Sequence, residues 1–254
     1  MKIVIIGGTG FIGSRLAAKL RSEGHDVIAA SPSSGVNAFT GQGLAEAVEG
    51  AYAVVDVSNS SSLDDRAVMH FFQTAGQHLL EAEAAAGIRH HLVLSVVGTD
   101  LLQESGYFRA KRVQENLIKE SGIPYTIVRS TQFFEFIAVI AQSATRGSTV
   151  YLPSAWIQPV AADDVVDTLA DLMAGVPLNT TVELAGPEKF RLDDLVRRYL
   201  VLNHDPRQIV LDLNATYFGA SLSDHTLIPS VNSRIGSKRF DEWMSPMPKI
   251  NSLL

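Results

Sequence analysis

The 254-residue sequence contains no cysteine. This absence excludes disulfides, cysteine-ligated zinc, iron–sulfur clusters and a thiol nucleophile. Basic residues are also in the minority, since 21 Lys and Arg stand against 27 Asp and Glu and give a net charge of −6. No run of basic residues is longer than two. We therefore expect no nucleic-acid partner, because such partners are held by phosphate neutralisation.

Long apolar runs are missing as well. The apolar run over residues 3–6 stops at Gly7 and Gly8, far short of the roughly 18 residues that a membrane span needs. It is also too short for the apolar region of an export signal. We therefore expect a cytoplasmic protein with no membrane partner. Apolar residues make up 46% and charged residues 19% of the chain, which is typical of a folded domain with its own core.

The first half of the chain alternates short apolar runs with amphipathic segments. Residues 3–6 have the continuous apolar pattern of a strand buried on both faces. Residues 11–22 carry an apolar stripe at helical spacing, with Ile12, Leu16 and Leu20. The same patterns predict strands over 26–30, 53–57, 90–97 and 125–128, and helices over 44–48, 64–86 and 107–120. This alternation predicts an α/β fold, a Rossmann-type doubly wound parallel sheet covered by helices.

A glycine-rich loop joins the first predicted strand to the first predicted helix. Such glycines allow a tight turn, a close approach of the backbone to a pyrophosphate, and close packing of helix on strand. The free N–H groups at the helix start then face the diphosphate. A plain strand-to-helix turn is the alternative. We predict a dinucleotide site that includes Gly7, Thr9, Gly10, Phe11, Ile12 and Gly13.

The segment after the second strand bears on the choice of cofactor. An NAD-selective site usually carries Asp or Glu about 20 residues beyond the glycine loop. Here the chain reads Ala-Ala-Ser-Pro-Ser-Ser over residues 29–34, with no carboxylate. The hydroxyls of Ser31 and Ser33 can donate to a 2′-phosphate, although no Arg or Lys lies in this segment. The sequence therefore favours NADP, with NAD as the alternative.

A tyrosine and a lysine lie four residues apart on a predicted helix. Tyr107 and Lys111 then project from the same side, where the ammonium can lower the phenol pKa so that Tyr107 passes a proton near neutral pH. Lys111 can also hold the nicotinamide ribose. Ser95 ends a predicted strand, where sites of open α/β sheets collect, and can position a substrate carbonyl. An exposed tyrosine and a solvated lysine are the alternative.

After residue 129 the pattern becomes irregular. It predicts helices over 133–144, 163–173 and 193–200, and short extended segments over 150–153, 157–160 and 182–184. No internal repeat is present. We assign residues 1–130 and 155–185 to the dinucleotide-binding domain, and residues 131–154 and 186–254 to a smaller substrate-side lobe.

Five stretches resemble the atypical short-chain dehydrogenases/reductases of the NmrA-like, NAD(P)H-binding branch. These stretches cover residues 5–13, 94–98, 107–111, 121–129 and 132–134. The resemblance implies a cofactor lying across the carboxyl ends of the strands. It places Val57, Ser58 and Asn59 near the adenine end, and Thr131, Gln132 and Phe133 beside the nicotinamide. Some members of this branch lack the tyrosine and act as NADP sensors.

These observations predict an NAD(P)H-dependent oxidoreductase that acts as a monomer or homodimer on a small molecule. A hydride would pass to an apolar carbonyl or quinone-type substrate, with Tyr107, Lys111 and Ser95 as catalytic residues. The alternative from another class is a non-catalytic NADP(H) sensor that presents a regulatory surface. A sugar-nucleotide epimerase with the same triad is a third hypothesis, disfavoured because the C-terminal segment is short for a nucleotide-sugar lobe.

Other features have simpler interpretations. We predict no metal site, and expect His90 and His91 to be structural, Asp163 or Asp164 to cap a helix, and Asp56 to bond to nearby backbone. An apolar stripe fits a substrate pocket and core packing equally well, and it comprises Phe133, Phe134, Phe136, Ile137 and Ile140. Tyr151 and Trp156 are further pocket candidates.

Overall fold

The computed structural model describes residues 1–62 and 64–245. Its strands are β1 (Lys2–Ile6), β2 (Asp26–Ala30), β3 (Ala53–Asp56), β4 (His90–Val96), β5 (Tyr125–Ser130), β6 (Thr145–Arg146), β7 (Thr149–Leu152), β8 (Trp156–Ile157), β9 (Thr180–Ala185), β10 (Phe190–Arg191), β11 (Gln208–Leu211) and β12 (Arg234–Ile235). Its α-helices are α1 (Phe11–Ser22), α2 (Leu44–Val48), α3 (Asp65–Ala86), α4 (Gly106–Glu120), α5 (Ile137–Ser143), α6 (Ala162–Ala174), α7 (Leu192–Leu202) and α8 (Phe240–Met244).

The central sheet has the strand order β12-β9-β5-β4-β3-β1-β2. Every neighbouring pair in it is parallel. The chain runs outward from β1 to β2 and then returns to place β3 on the other side of β1. This reversal creates a crevice at the carboxyl ends of β1 and β3, which is where open α/β sheets bind ligands. The predicted Rossmann-type fold is confirmed.

The continuous apolar run of β1 is explained by burial on both faces of the sheet. Ile3 and Ile5 pack with Leu16 of α1 and Leu169 of α6 on one face. Val4 and Ile6, one residue out of step, pack on the other face with Leu44 of α2, Leu79 of α3 and Ile118 of α4. Because side chains alternate along a strand, a strand covered by helices on both sides has no polar positions.

A second core lies among the residues that follow β5. It includes Phe134, Ile137, Leu152, Leu195 and Phe240. Two small sheets belong to this region, β11-β7-β6 and β10-β8. The predicted helix over 133–144 is in fact a 3-10 turn, Phe134–Phe136, followed by α5. β12 returns from this part of the chain to the central sheet, where it pairs with β9.

The division into two lobes stays a prediction. Residues 246–254, which it assigned to the substrate-side lobe, lie outside the described residues. Within residues 1–62 and 64–245, which the structure describes, no helix is both long and apolar enough to cross a bilayer.

The predicted capping role of Asp163 and Asp164 is wrong. Helix α6 begins at Ala162. Its N-cap residue is Ala161, whose side chain makes no hydrogen bond to the helix. The Glu135 carboxylate accepts from the Ala162 N–H at 3.3 Å, so a residue distant in sequence satisfies this end. Asp163 and Asp164 lie in the first turn, where their charges still favour the helix dipole. Asp164 also accepts from the Lys238 N–H at 3.0 Å.

Candidate functional site

A cavity of about 720 Å³ opens at the crevice between the carboxyl ends of β1 and β3. Its walls come from the glycine loop, the segments after β2 to β5, the first half of α4, and a distant turn near residue 217. The segments at the carboxyl ends of the five parallel strands β1 to β5 therefore meet in one place. This is the geometry that the alternation of strands and helices predicts.

The glycine loop brings the start of α1 close to the backbone after β3. Gly7 has a φ of +78°, and a Cβ built on it would lie 2.9 Å from the Ser58 Cα. A Cβ on Gly13 would lie 2.2 Å from the Gly7 carbonyl oxygen. Both contacts are too close for any side chain, so these positions require glycine.

Helix α1 starts beside the cavity without a side-chain cap. Its N-cap is Gly10, and its first turn holds no acidic residue. Gly10, Phe11 and Ile12 line the cavity. The free N–H groups and positive dipole end of this helix are suited to an anion. The arrangement fits a dinucleotide, whose diphosphate would lie against these N–H groups.

Most predicted cofactor-binding residues line this cavity. They are Gly7, Thr9, Gly10, Phe11, Ile12, Ser31, Val57, Ser58, Asn59, Lys111, Gln132 and Phe133. Gly13 and Ser33 do not. Gly13 lies behind the loop, against the Gly7 backbone. The Ser33 hydroxyl bonds the Ser31 hydroxyl at 2.8 Å and so supports the turn rather than the cavity wall.

The wall beyond β2 consists of polar and apolar side chains without a charge. It comprises Ser31, Pro32, Val36, Asn37, Ala38 and Phe39. The Ser34 hydroxyl donates to the Ala29 carbonyl at 3.1 Å and to the Ser31 carbonyl at 3.0 Å, which holds the turn together. Arg15 lies nearby, with its guanidinium 4.1 Å from the Phe11 ring centroid.

Lys111 is a buried ammonium at the floor of the cavity, with 3% of its surface exposed. Its Nζ donates to the Leu94 carbonyl at 2.9 Å and to the Gln114 side chain. Gln114 in turn donates to Asp56 at 2.7 Å. Burial lowers the pKa of Lys111 to about 8, against the attraction of Asp56 and Glu115. The other oxygen of Asp56 accepts from the Ser58 N–H at 2.9 Å, the local backbone bond that was expected.

Tyr107 lines the cavity but is not activated by Lys111. Its ring packs edge-on against Phe72 and Phe108, with centroid distances of 6.2 and 5.6 Å. Burial raises the pKa of Tyr107 to about 12. The expected lowering of this pKa is therefore wrong for the structure described. The reason is that aromatic neighbours desolvate the phenol, while the ammonium is engaged with the Leu94 carbonyl.

Ser95 also lines the cavity, and its hydroxyl is engaged by a buried ion pair. Ser95 Oγ donates to Glu115 at 2.6 Å. Arg129 donates to the same carboxylate through its Nε at 2.8 Å. Burial alone would raise the pKa of Glu115, but the bonds from Arg129 and Ser95 lower it. This network ties α4 to β4 and β5 directly below the site.

The two histidines that begin β4 are both buried. His91 bonds the Glu83 carboxylate at 2.9 Å, and His90 bonds the Thr126 hydroxyl at 3.0 Å. Burial lowers the pKa of His90 to about 4. Both side chains thus link the strand to neighbouring elements, as a structural role requires.

The apolar stripe after β5 divides between cavity and core. Phe133 and Phe136 line the cavity, whereas Phe134, Ile137 and Ile140 belong to the second core. Tyr151 and Trp156 are not among the residues that line the cavity. Their rings instead face Arg146 and Arg191, with the guanidinium carbons 5.3 and 4.5 Å from the ring centroids.

Several aromatic residues in the cavity wall were not predicted. They are Phe39, Phe71, Phe108, Tyr217 and Phe218. Phe39 and Phe71 stack with their centroids 6.1 Å apart. Tyr217 and Phe218 come from an irregular segment far along the chain, where periodicity carries no signal. The local sequence offered one signal for such a residue, which is Phe39, an aromatic side chain in the segment that follows β2.

The NAD(P)H-binding family matches residues 7–173 of this chain. The chain therefore belongs to that family. Together with the parallel sheet, this match defines an NAD(P)-binding Rossmann protein, in agreement with the resemblance drawn from the sequence. The cofactor is a nicotinamide dinucleotide.

Curated relatives are distant and differ in their named roles. The chain is 25% identical over 216 residues to the photosystem II assembly factor Ycf39 of Cyanophora paradoxa, covering 78% of this chain and 67% of the relative. It is 28% identical over 144 residues to the (4-alkanoyl-5-oxo-2,5-dihydrofuran-3-yl)methyl phosphate reductase of Streptomyces griseus. That match covers 52% of this chain and 48% of the reductase, so the chain spans about half the length of this relative.

Solved structures share the fold at low sequence identity. MoeE5, in complex with UDP-glucose and NAD, has a TM-score of 0.70 and 16% identity, with 96% of each chain covered. The dTDP-4-dehydrorhamnose reductase of Bacillus anthracis, in complex with NADP, has a TM-score of 0.67 and 12% identity, covering 95% of this chain and 92% of the other. These similarities establish the architecture.

Proposed function

We propose that this protein is an NAD(P)H-dependent reductase that transfers a hydride to an apolar carbonyl or quinone-type substrate. One observation carries the proposal. The cavity that begins at the glycine loop continues without interruption past Tyr107, Lys111 and Ser95 to a wall of aromatic side chains. A cofactor held at the loop and an apolar substrate would therefore share one cavity, which lets proximity contribute to the rate.

The named residues have distinct roles in this proposal. The bound dihydronicotinamide would supply the hydride. Tyr107 is protonated at neutral pH and would donate a proton to the product oxygen. Burial raises its pKa to about 12 and so makes it a weaker acid than a free phenol in the structure described. Lys111 would hold the ribose hydroxyls. Ser95 would position the carbonyl by exchanging its bond with Glu115 for one to the substrate.

We further propose NADP as the preferred cofactor. The cavity wall after β2 presents Ser31, Asn37 and the backbone of a serine-rich turn, with no carboxylate to repel a 2′-phosphate. Arg15 lies against the Phe11 ring, which lines the cavity, and is paired weakly with Asp163 at 4.0 Å. Titration of the protein with NADPH and NADH by fluorescence would measure the preference directly, and tighter binding of NADH would contradict it.

The catalytic role of Tyr107 is tested by Tyr107→Phe, with Tyr125→Phe as a matched control. Tyr125 begins β5, at the opposite end of that strand from the cavity. We expect Tyr107→Phe to leave the NADPH dissociation constant within about twofold and to lower kcat by about 10²–10⁴-fold, as for loss of a general acid. NADPH oxidation with a panel of aldehydes, ketones and quinones would be followed by absorbance. An unchanged kcat would remove Tyr107 from the mechanism.

A non-catalytic NADP(H) sensor is the second candidate. It is favoured by the engagement of Lys111 with the Leu94 carbonyl, which leaves Tyr107 without an activating neighbour, and by the assembly-factor name of one relative. Tight NADPH binding without oxidation across the whole panel would support the sensor and contradict the reductase.

A further inference from the structure

A second phenol reaches the cavity from the C-terminal part of the chain. Tyr217 lines the cavity together with Tyr107, although the two residues are far apart in sequence. Tyr217 begins a tight turn in which its N–H donates to the Ala220 carbonyl at 2.8 Å and the Ala220 N–H donates back at 3.1 Å. The central residues Phe218 and Gly219 have φ values of +47° and +85°, as a type I′ turn requires.

This turn is held in a conformation that a bulky residue rarely adopts. A positive φ at a phenylalanine is strained, and it persists where the surroundings enforce it. Here the Tyr217 ring packs edge-on against Phe218, with centroids 4.8 Å apart. The Ser221 N–H donates to the Glu104 carboxylate at 2.7 Å, which ties the turn to the loop before α4. The position of the Tyr217 side chain is therefore well defined.

Unpartnered polar atoms of Thr131 and Gln132 share the cavity wall with Tyr217. Gln132 is 7% exposed and Thr131 is 1% exposed. Within the described part of the chain, neither amide atom of Gln132 nor the Thr131 hydroxyl makes a hydrogen bond. Gln132 nevertheless lies near enough to Tyr217 to lower its pKa, against the upward effects of burial and of Tyr107. Buried polar groups are rarely left without partners, so these groups indicate a ligand that would satisfy them.

The charges around this end of the cavity restrict that ligand. Among the described lining residues, Lys111 is the one cation and Asp65 the one carboxylate. Asp65 accepts from Arg109 at 2.7 Å, and Lys111 is engaged at the floor. The remaining donors are neutral and lie among aromatic side chains. An unpaired phosphate or carboxylate would lose its hydration here without gaining a countercharge, which is costly.

We propose that Tyr217 and Gln132 together position the oxygen of an uncharged, planar carbonyl compound beside Tyr107, and that this end of the cavity rejects anionic substrates. The inference rests on the proposed reductase function, since it names the substrate class of the same cavity. Tyr217 is a positioning residue: it binds the oxygen that Tyr107 protonates. One relative is named as a methyl phosphate reductase and MoeE5 is in complex with UDP-glucose, so the proposed selectivity differs from theirs.

Binding to protein saturated with NADP⁺ tests the proposal without turnover. Calorimetry would compare menadione, a neutral quinone, with a naphthoquinone sulfonate, for the unmodified protein, Tyr217→Phe, Gln132→Leu and the control Tyr151→Phe. We expect each cavity variant to weaken menadione binding by about 5- to 10-fold, the effect of losing one hydrogen bond, and the control to bind normally. The sulfonate should bind at least about tenfold more weakly than menadione, because no cation pairs with it.

Turnover with NADPH separates this proposal from the reductase assignment. For Tyr217→Phe, KM for menadione should rise by about the factor seen in binding, while kcat changes by less than about threefold. Absence of NADPH oxidation with every carbonyl and quinone would overturn the reductase, and the binding measurements would still decide the role of Tyr217. Normal menadione binding by both cavity variants, no menadione binding at all, or equal binding of the sulfonate would overturn the positioning role.

Discussion

At the scale of single residues, burial decides the chemistry of the site more than sequence spacing does. Tyr107 and Lys111 are four residues apart on α4, yet one pKa is raised to about 12 and the other is lowered to about 8. In both cases desolvation is the largest cause, because it disfavours the charged form of either group. The pKa of Lys111 therefore lies close to physiological pH. In the ligand-free protein, the charge of this side chain changes within a pH range that experiments can reach.

Cofactor affinity should depend on the charge of Lys111. A protonated Lys111 would hold the ribose hydroxyls more strongly than a neutral one, so binding should weaken as pH rises through its pKa of about 8. Linkage predicts that the NADPH dissociation constant rises about tenfold between about pH 7 and pH 9 if the complex stays protonated. Lys111→Met should bind NADPH more weakly at pH 7 and lose this dependence. Fluorescence titrations across this range would measure it, and a flat profile for the unmodified protein would contradict the prediction.

At the scale of elements, the site depends on how closely α1 packs against the ends of β1 and β3. Gly7 and Gly13 allow that packing, since any Cβ on them would meet backbone atoms. Gly10 has a different role. It has an ordinary φ of −77°, it faces the cavity, and a Cβ on it would meet only the Gly7 carbonyl, at 3.2 Å. Substitutions at different glycines of this loop can therefore distinguish an effect on folding from an effect on ligand binding.

Two substitutions in this loop should have distinct effects. Gly10→Val should keep the free energy of unfolding within about 1 kcal/mol but weaken NADPH binding by at least about 100-fold, because the side chain occupies the diphosphate position. Gly13→Ala should lower the free energy of unfolding by about 1–3 kcal/mol through overpacking. Urea unfolding and NADPH titration would measure both effects.

Gly175→Ala provides the matched control for these variants. Its nearest neighbour to a new Cβ is the Leu172 carbonyl at 3.6 Å, an ordinary contact. We expect no loss of NADPH binding in this variant. Retained affinity in Gly10→Val would show that the loop does not hold the diphosphate.

At the scale of the whole molecule, the cavity joins the central sheet to the second core. Gly7 lies in the loop after β1 and Lys111 on helix α4, which packs beside the sheet. Phe136 and Tyr217 come from the later part of the chain. The complete site exists only when both parts are folded, and an unfolded chain cannot bind the cofactor in the same way. Ligand binding should therefore stabilise the folded state as a whole.

Thermal unfolding should reveal this linkage. NADPH at about 100 times its dissociation constant should stabilise the protein by about 2.7 kcal/mol, which corresponds to a rise in Tm of about 5–10 °C for a chain of this size. Differential scanning calorimetry would measure the shift. Gly10→Val should show at most about 2 °C of shift at the same NADPH concentration, whereas an equal shift in both proteins would point to nonspecific stabilisation.

Local patterns in the sequence were sufficient to predict the fold, and they also predict a cofactor site at the glycine loop. The buried run of β1, the stripe of α1 and the glycines between them each reflect a short-range geometric requirement that is visible along the chain. The confirmed family and the parallel sheet agree with this prediction. The choice between NADP and NAD, and the catalytic roles, stay predictions, because they depend on a ligand.

Only the tertiary structure decided what surrounds the reacting end. Tyr217 and Phe218 reach the cavity from an irregular turn. The Ser95 hydroxyl donates to Glu115. The first N–H of α6 donates to Glu135, and neither Asp163 nor Asp164 caps this helix. Each of these contacts joins residues distant in sequence, so no periodic pattern along the chain predicts it. The physical reason is that hydrogen bonding and desolvation depend on three-dimensional neighbours, whereas helix and strand patterns depend on neighbours along the chain.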